Sequence, residues 1–430
     1  MSAAVDRKLS VTDLSSDQCE VYNSILDWKN APPYDHRVLK VGGYAGTGKS
    51  TILGVLATVL QGGGLVAYAT YTGRAASVLT RKLAACGVRT TSLSCTNNEK
   101  ALSGNFGHLF YGSSDPQARM PYCGTLHRLL YRPIIDAREQ IIGWKKRDEL
   151  DRPYSLIVVD EASMVSSAIL ADLQMHRRPI LAVGDHGQLP PVMDSGDLMK
   201  NPDLKLEKIH RQAEGNPIIA LSREIRETGK IPRSMEGIEQ VHRTALEDVM
   251  AEAYGAANHV LDTVALCWTN RMRCKLNRAA RKVTGRNGPP SVGEPVICLK
   301  NNPPIYNGMR GVVAHAVERR NQAPWLLGSI VDFPEEGFAG EKVEFCEPQF
   351  LREKTFADVE EFIGLGMEVD RMSEGGDLYD FAYACTVHKF QGSACPHVLF
   401  YVDMPGSHED FARLAYTAVT RASERLTILR

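Results

Sequence analysis

A chain of 430 residues, 43% hydrophobic and 23% charged, is long enough for two or three domains with real cores, and its composition excludes wholesale disorder. A formal net charge of −1 supplies no global field, so a nucleic-acid partner would have to be held in a local groove. The ten cysteines include no C-x2-C pair, and no run of about 18 apolar residues occurs, which excludes a zinc ribbon, a secreted disulfide framework and a membrane span; a soluble chain in a reducing compartment is expected.

In chain order, residues 14–28 predict an amphipathic helix with Ser15 or Ser16 as its cap. An apolar strand at 38–41 runs into a glycine-rich turn and then a helix over 49–60. A strand at 65–70, a helix at 73–86 and two further apolar strands at 155–160 and 179–184 complete the pattern of a parallel sheet covered on both faces, a RecA-like core. Residues 87–123 break this pattern with polar, Gly/Ser/Asn-rich sequence and read as a surface insertion. Cys86, Cys95, His108 and Cys123 share that stretch and allow a metal, although buried free thiols explain them as well. Residues 132–144 predict a β-hairpin. A second α/β half is expected from residue 204, with a strand at 263–268, a basic helix at 271–283, strands at 381–386 and 398–402, a helix at 409–422 and a last strand at 426–429; glycine-punctuated short strands over 292–377 read as a small β-barrel inserted into it.

Three segments carry chemistry. Gly43-Tyr-Ala-Gly-Thr-Gly48-Lys49-Ser50 satisfies G-x4-G-K-[ST] between a strand and a helix. Its glycines let backbone N–H groups of Gly43, Ala45, Gly46, Thr47, Gly48, Lys49, Ser50 and Thr51 turn toward the phosphates of ATP; Lys49 is expected on the β/γ-phosphates and Ser50 on Mg2+. Asp160 and Glu161 end a buried strand, where Asp160 suits the metal and Glu161 the attacking water; a solvated acidic strand end is the alternative. In Gly184-Asp-His-Gly-Gln188-Leu-Pro-Pro191, Gln188 is expected to sense the γ-phosphate and the water. Arg211 and Arg421, from the second half, suit the charge that develops on a transferring phosphoryl group.

Taken in order, these segments resemble superfamily 1 helicases, and within them the RecD/Dda-like superfamily 1B group. Gln18, Thr72-Gly-Arg74-Ala-Ala76, Thr125-Leu-His127, His210-Arg211-Gln212, Thr269-Asn270, Thr386-Val-His388-Lys389-Phe-Gln-Gly392-Ser393 and the 416–422 segment extend the match over nearly the whole chain. The resemblance implies a 5′→3′ motor on single-stranded DNA that opens ss/dsDNA junctions using ATP and Mg2+. It places the adenine edge on Gln18, nucleotide contacts on His210 and Gly392, and DNA contacts on Thr72, Arg74, Thr125, His127, Asn270, Thr386, His388 and Lys389. It makes the hairpin a strand-separating pin whose tip would be Ile141, Ile142 or Trp144, and the β segment an SH3-like barrel. Tyr71 replaces the group's usual proline and Ala394 its usual glutamate, which leaves ribose discrimination open.

The expected architecture is therefore α/β: two RecA-like parallel-sheet domains of the P-loop NTPase type, with an inserted β-hairpin pin and an inserted SH3-like β-barrel. The first motor domain takes residues 1–126 and 153–203, the pin 127–152, the second motor domain 204–291 and 378–430, and the barrel 292–377. A monomeric motor in bacterial or phage-infected cytoplasm fits, standing without an appended relaxase or nuclease signature and open to replication, recombination or repair partners. The competing readings are a translocase that strips proteins from DNA, an RNA-directed helicase, and a non-catalytic binding module; the presence of Lys49, Glu161 and Arg421 argues against the last.

Overall fold

A computed structural model describes residues 10–31, 38–92, 120–135, 141–191, 198–208, 215–255, 259–300, 305, 307–321, 325–335, 338–355, 377–403 and 408–430. The chain divides into two compact units, Met1–Glu214 and Gly215–Arg430.

In the first unit, α1 (Ser16–Asn30) starts on a capping box: Gln18, at the third helical position, accepts the Ser15 N–H at 3.0 Å. The elements that follow are β1 (Val38–Gly43), α2 (Lys49–Leu60), β2 (Val66–Thr70), α3 (Gly73–Ala85), β3 (Tyr122–Thr125), α4 (Leu126–Leu130), β4 (Tyr131–Ile135), β5 (Ile141–Lys146), β6 (Leu156–Asp160), α5 (Ser167–Met175), β7 (Ile180–Gly184) and β8 (Leu204–Leu206). Six strands form one all-parallel sheet in the order β3-β2-β6-β7-β1-β8. Every residue of β2 and β7 is buried, as expected of strands covered on both faces. One core lies under α1, α2 and α3, and the second on the opposite face under α4 and α5.

Two expectations are corrected here. Residues 93–119 of the expected insertion lie outside the described residues, but Tyr122 and Cys123 are not part of a surface loop: they are buried in β3, paired with Ala67 and Tyr68. A strand of four residues with a glycine in it gives too short a pattern to be seen in sequence. The second half does not begin at residue 204 either, because Leu204–Leu206 pairs with Val41–Gly43 at the edge of the first sheet. Cys86 and Cys123 are buried thiols outside any disulfide, and no group of metal-ligating side chains occurs among the described residues; Cys95 and His108 lie outside them.

The antiparallel pair β4–β5 is the expected hairpin, extended at its open end by Tyr131 on one strand and by Lys145 and Lys146 on the other. Its strands carry the backbones of Ile141, Ile142 and Trp144.

The second unit contains α6 (Pro217–Thr228), β9 (Glu239–Val241), α7 (Leu246–Gly255), β10 (Thr263–Cys267), α8 (Asn270–Val283), β11 (Pro295–Cys298), β12 (Arg310–Val313), β13 (Glu318–Arg319), β14 (Leu326–Phe333), β15 (Phe338–Cys346), β16 (Tyr379–Phe381), β17 (Ala384–Thr386), β18 (Cys395–Tyr401), α9 (His408–Val419) and β19 (Ala422–Leu429). A parallel sheet runs β17-β10-β18-β19-β9, and an antiparallel one runs β13-β14-β12-β11-β16 with β15 on β14. The expected single strand at 381–386 is two: β16 pairs with β11 in the antiparallel sheet, and β17 pairs with β10 in the parallel one. The antiparallel segment therefore reaches Phe381 rather than ending at residue 377.

Arg310 ties the two sheets of this unit together. Fully buried on β12, it donates to the carbonyls of Leu261 at 3.0 Å, Thr263 at 2.8 Å and Ala382 at 3.4 Å, and its guanidinium lies 5.7 Å from the Phe390 ring centroid. No helix among the described residues is long and apolar enough to cross a membrane.

Candidate nucleotide and nucleic-acid sites

Parallel strands deliver their following loops to one edge of the sheet, so adjacency in the sheet becomes adjacency in the site. In the first unit β1, β7 and β6 are neighbours, and their carboxyl ends carry the Gly43 turn, Asp185 and the Asp160–Glu161 pair.

The turn after β1 is built by glycine. Gly46 and Gly48 take φ of 80° and 79°, a region that costs side-chain-bearing residues energy, and a Cβ on Gly43 would lie 2.7 Å from Thr47 Oγ1. Thr47 closes the turn by donating its hydroxyl to the Tyr44 carbonyl at 2.8 Å. Gln18 Nε2 donates to the Thr47 carbonyl at 3.2 Å, so the α1 glutamine is fastened to the turn. Ala45 and Thr51 lie in the same turn and in the first turn of α2.

Lys49 Nζ donates to the carbonyls of Gly43 at 2.6 Å and Tyr44 at 3.0 Å, and lies 3.8 Å from the buried Asp185 carboxylate. Ser50 Oγ accepts from Lys82 Nζ at 2.8 Å. Asp160 Oδ1 accepts the Glu161 N–H at 3.0 Å, and Glu161 holds left-handed backbone at φ 54°, a strained conformation for a glutamate that aims its side chain off the strand axis. Asp185 accepts from the Gly187 N–H at 2.9 Å and from Gln188 Nε2 at 3.4 Å. Glu161 Oε2 and Gln188 Oε1 are buried with no hydrogen-bond partner among the described residues. Unpaired acceptors at the edge of a sheet are costly in a fold unless a ligand uses them.

The donor set fits a hard divalent cation beside a triphosphate. It offers a hydroxyl (Ser50) and a carboxylate (Asp160), and Lys82 brings positive charge to both: it bonds Ser50 and lowers the Asp160 carboxyl. Burial raises the Asp160 carboxyl above its ordinary range and the Glu161 charge raises it further, to about 6, while Lys82 and then Lys49 pull it down. A carboxyl raised in the fold contributes stability that is present below the ordinary carboxylate range and is lost as pH rises through about 6. A divalent metal competes with that proton. We expect Mg2+-dependent ATP turnover to fall as pH drops through about 6, and a tenfold rise in Mg2+ to move that limb to lower pH. A limb unmoved by Mg2+ in the pH–rate profile would disconnect Asp160 from the metal.

Lys82, Asp185, Tyr44 and His186 were not singled out in sequence. The Tyr44 and His186 rings lie 4.0 Å apart and join the glycine turn to the loop after β7. Asp185 had a legible signal, a carboxylate at a strand end like Asp160; Lys82 had none.

The neighbouring strands β2 and β3 carry the candidate DNA contacts at the same edge, with Thr70 opposite Thr125. Thr72 caps α3 and Thr125 caps α4, each hydroxyl accepting a backbone N–H, at 3.2 Å and 3.3 Å. A capping hydroxyl still has its own O–H to donate to a phosphate. Arg74 is buried, whereas His127 is exposed between Tyr71 and Tyr131, with ring centroids 6.1 Å and 5.5 Å away. Tyr71, the unexpected residue of this motif, thus packs on a candidate contact.

In the second unit β17 and β10 are neighbours, which brings Thr386 beside the start of α8. Thr386 Oγ1 accepts the Lys389 N–H at 3.3 Å, and the His388 ring packs tilted against Trp268, with centroids 4.8 Å apart. Burial lowers the His388 imidazole below its ordinary value. Two expected contacts are engaged inside the protein: Asn270 Oδ1 accepts from Arg273 Nε at 3.1 Å, and Lys389 Nζ donates to Asn307 Oδ1.

Arg421 lies at the opposite edge, ahead of β19. It is buried, and it donates to the carbonyls of Thr417 and Ser393, both at 3.2 Å. The segment 386–393, with Gly392 at φ 72°, runs from the Thr386 edge to the Arg421 edge of this sheet. His210 and Arg211 lie outside the described residues.

The AAA domain family matches residues 14–248, more than half of the chain, and the UvrD-like helicase C-terminal domain matches residues 381–429. The chain belongs to the AAA-domain family. The chain is 27% identical over 417 residues to the ATP-dependent RecD2 DNA helicase of Deinococcus radiodurans, covering 91% of its own length and 46% of the relative, so it spans about half of that protein. Among solved structures it is similar to the Pif1 helicase from Bacteroides in complex with ADP-AlF3 and ssDNA, at a TM-score of 0.51 and 17% identity, with 96% of this chain and 92% of that one covered. The Pif1 helicase from Candida albicans superposes with a TM-score of 0.49 at 18% identity, over 97% and 94%. The Bacteroides likeness bears out the α/β, parallel-sheet helicase fold expected from the motif order.

Proposed function

We propose that this chain is an ATP-dependent DNA helicase that moves 5′→3′ on single-stranded DNA and opens ss/dsDNA junctions. The observation that carries the reading is the meeting of Lys49, Ser50, Asp160, Glu161, Asp185 and Gln188 at the edge of one parallel sheet, with Thr72 and Thr125 two strands along it. Hydrolysis at one part of that edge and strand contact at another are joined by a shared, rigid sheet.

In this reading Lys49 and the N–H groups of the glycine turn hold the triphosphate, and Gln18 contacts the adenine while bracing the turn. Ser50 and Asp160 would hold Mg2+, which supplies charge neutralisation between the phosphates. Glu161 orients and deprotonates the attacking water, and Gln188, kept in place by Asp185, reports whether the γ-phosphate is present. Arg211 and Arg421 are the candidate cations for the charge that develops during transfer, and His210 and Gly392 the candidate nucleotide contacts. DNA is held through Thr72, Arg74, Thr125, His127, Asn270, Thr386, His388 and Lys389, donors that suit phosphate and read no sequence. The β4–β5 hairpin is the pin, tipped by Ile141, Ile142 or Trp144, and the antiparallel sheet of the second unit is the SH3-like module.

The test is a duplex with a single-stranded tail at the 5′ end, the 3′ end or neither. Strand separation with ATP and Mg2+ from the 5′-tailed substrate alone is the expected result. Turnover stimulated by single-stranded DNA with every duplex left intact would replace unwinding by translocation, and stimulation by RNA in preference to DNA would change the substrate.

A further inference from the structure

The first two turns of α8 carry more positive charge than the motor reading uses. Arg271, Lys275 and Arg278 recur at i, i+4 and i+7, so they share one face of the helix, and all three are exposed. With Thr269, Met272 and Glu353 they line a concavity of about 490 Å3, within the usual range of ligand pockets.

The far wall of this groove is built into the fold. Arg273, buried on the inner face of α8, pairs with Asp380 and donates to the Arg352 carbonyl. Asp380 accepts the Leu351 N–H at 2.9 Å, and Leu351 takes left-handed backbone at φ 59° to make the turn. Arg278 reaches the Leu351 carbonyl at 3.4 Å from the outer face. The 351–353 segment is thereby pinned along the helix, and the groove has a fixed width. Arg271 and Lys275 make no side-chain hydrogen bond or ion pair among the described residues. Three cations face the single carboxylate of Glu353; Asp403, behind the helix start, is consumed by the N–H groups of Trp268 and Thr269 and the Thr269 hydroxyl.

We propose that this groove is a phosphodiester-binding subsite for single-stranded DNA, additional to the contacts of the motor motifs. It rests on the DNA-binding reading above. The helix rises about 10 Å from Arg271 to Arg278 at about 1.5 Å per residue. At about 3.4 Å per phosphate in a stacked strand, that length accommodates about three phosphates. Half-buried Met272 offers an apolar floor to sugar or base. Thr269 belongs to the groove and also lies next to Trp268, whose ring packs against His388, so a strand leaving His388 enters the groove without a gap. That continuity favours DNA over an acidic peptide, which has no reason to start there. Glu353 opposes the phosphates and tempers the affinity, which suits a strand that has to be released as the motor moves.

The experiment measures binding of the whole chain to fluorescent oligothymidylates of increasing length across a salt series. The variants are Lys275→Glu/Arg278→Glu, Glu353→Gln, and a control, Lys282→Glu, whose lysine is paired with Glu247 at 2.7 Å away from the groove. Losing two phosphate contacts should flatten the slope of log affinity against log salt by about 1.4, at about 0.7 per contact on a single strand, and weaken long-strand binding by about tenfold or more. Glu353→Gln should bind tighter, and Lys282→Glu should match the parent. If the double reversal melts early, Lys275→Gln carries the same slope test with one contact. An unchanged slope in these variants overturns the groove, as does an acidic peptide that binds it while DNA affinity stays at the parent level. Absence of any DNA binding by the parent chain instead overturns the functional reading on which it rests.

Discussion

Lys49→Ala is expected to lower ATP turnover by at least about 10²–10³-fold, the loss that follows removal of one preorganised electrostatic partner of the transition state. The lysine is held by the carbonyls of Gly43 and Tyr44 and faces Asp185 at 3.8 Å, so its charge is aimed before any substrate arrives. An alanine removes the ammonium donor from the Gly43 and Tyr44 carbonyls, the latter keeping the Thr47 hydroxyl, and takes a cation from beside the buried Asp185 carboxylate. Nucleotide-free binding to single-stranded DNA should survive, because Thr72 and Thr125 are capped on their own helices and owe nothing to Lys49. Steady-state phosphate release and DNA anisotropy on the same preparation decide it. Full turnover in the variant would dismantle the nucleotide site as assigned.

Arg310→Met is the second large effect. The methionine keeps much of the volume and removes the charge, so packing is largely spared and the polar loss is isolated. The carbonyls of Thr263 and Ala382 then lose the guanidinium donor, and that of Leu261 keeps only the Cys395 thiol, inside a core where the arginine has no exposed surface. Each buried acceptor left unsatisfied costs about 1–3 kcal/mol. We expect the second unit to unfold at markedly lower urea, with the first unit unaffected, in a transition followed by tryptophan fluorescence. Arg310→Lys should not rescue it: an ammonium is a compact point charge and cannot reproduce the planar fork that reaches carbonyls on separate segments of the chain. Parent-like stability in Arg310→Met would mean that the two sheets of this unit are joined by something other than this side chain.

The candidate nucleotide site is legible in the sequence because a phosphate loop is a local device. Gly43 to Ser50, the strand-end pair Asp160–Glu161 and the loop carrying Gln188 each work through residues close along the chain, and the order in which they occur sets the fold class. Hydrophobic periodicity likewise announces most of the strands and helices. The short edge pieces escape it. β3 and β8 have four and three residues, too few for a period to show, and only pairing with β2 and β1 makes them strands.

By itself, then, this sequence determined the phosphate-loop pattern, the resemblance to helicases and the α/β alternation, all of which are written in neighbouring residues. Tertiary structure alone decided which groups meet across long separations. It brought Lys82 to Ser50 and Asp185 to Lys49, engaged Lys389 with Asn307, and turned Arg310 into a staple between sheets. Those partnerships arise from strand order and helix docking, and no spacing along the chain encodes them, because the distance between two residues in a fold is set by the packing of whole elements.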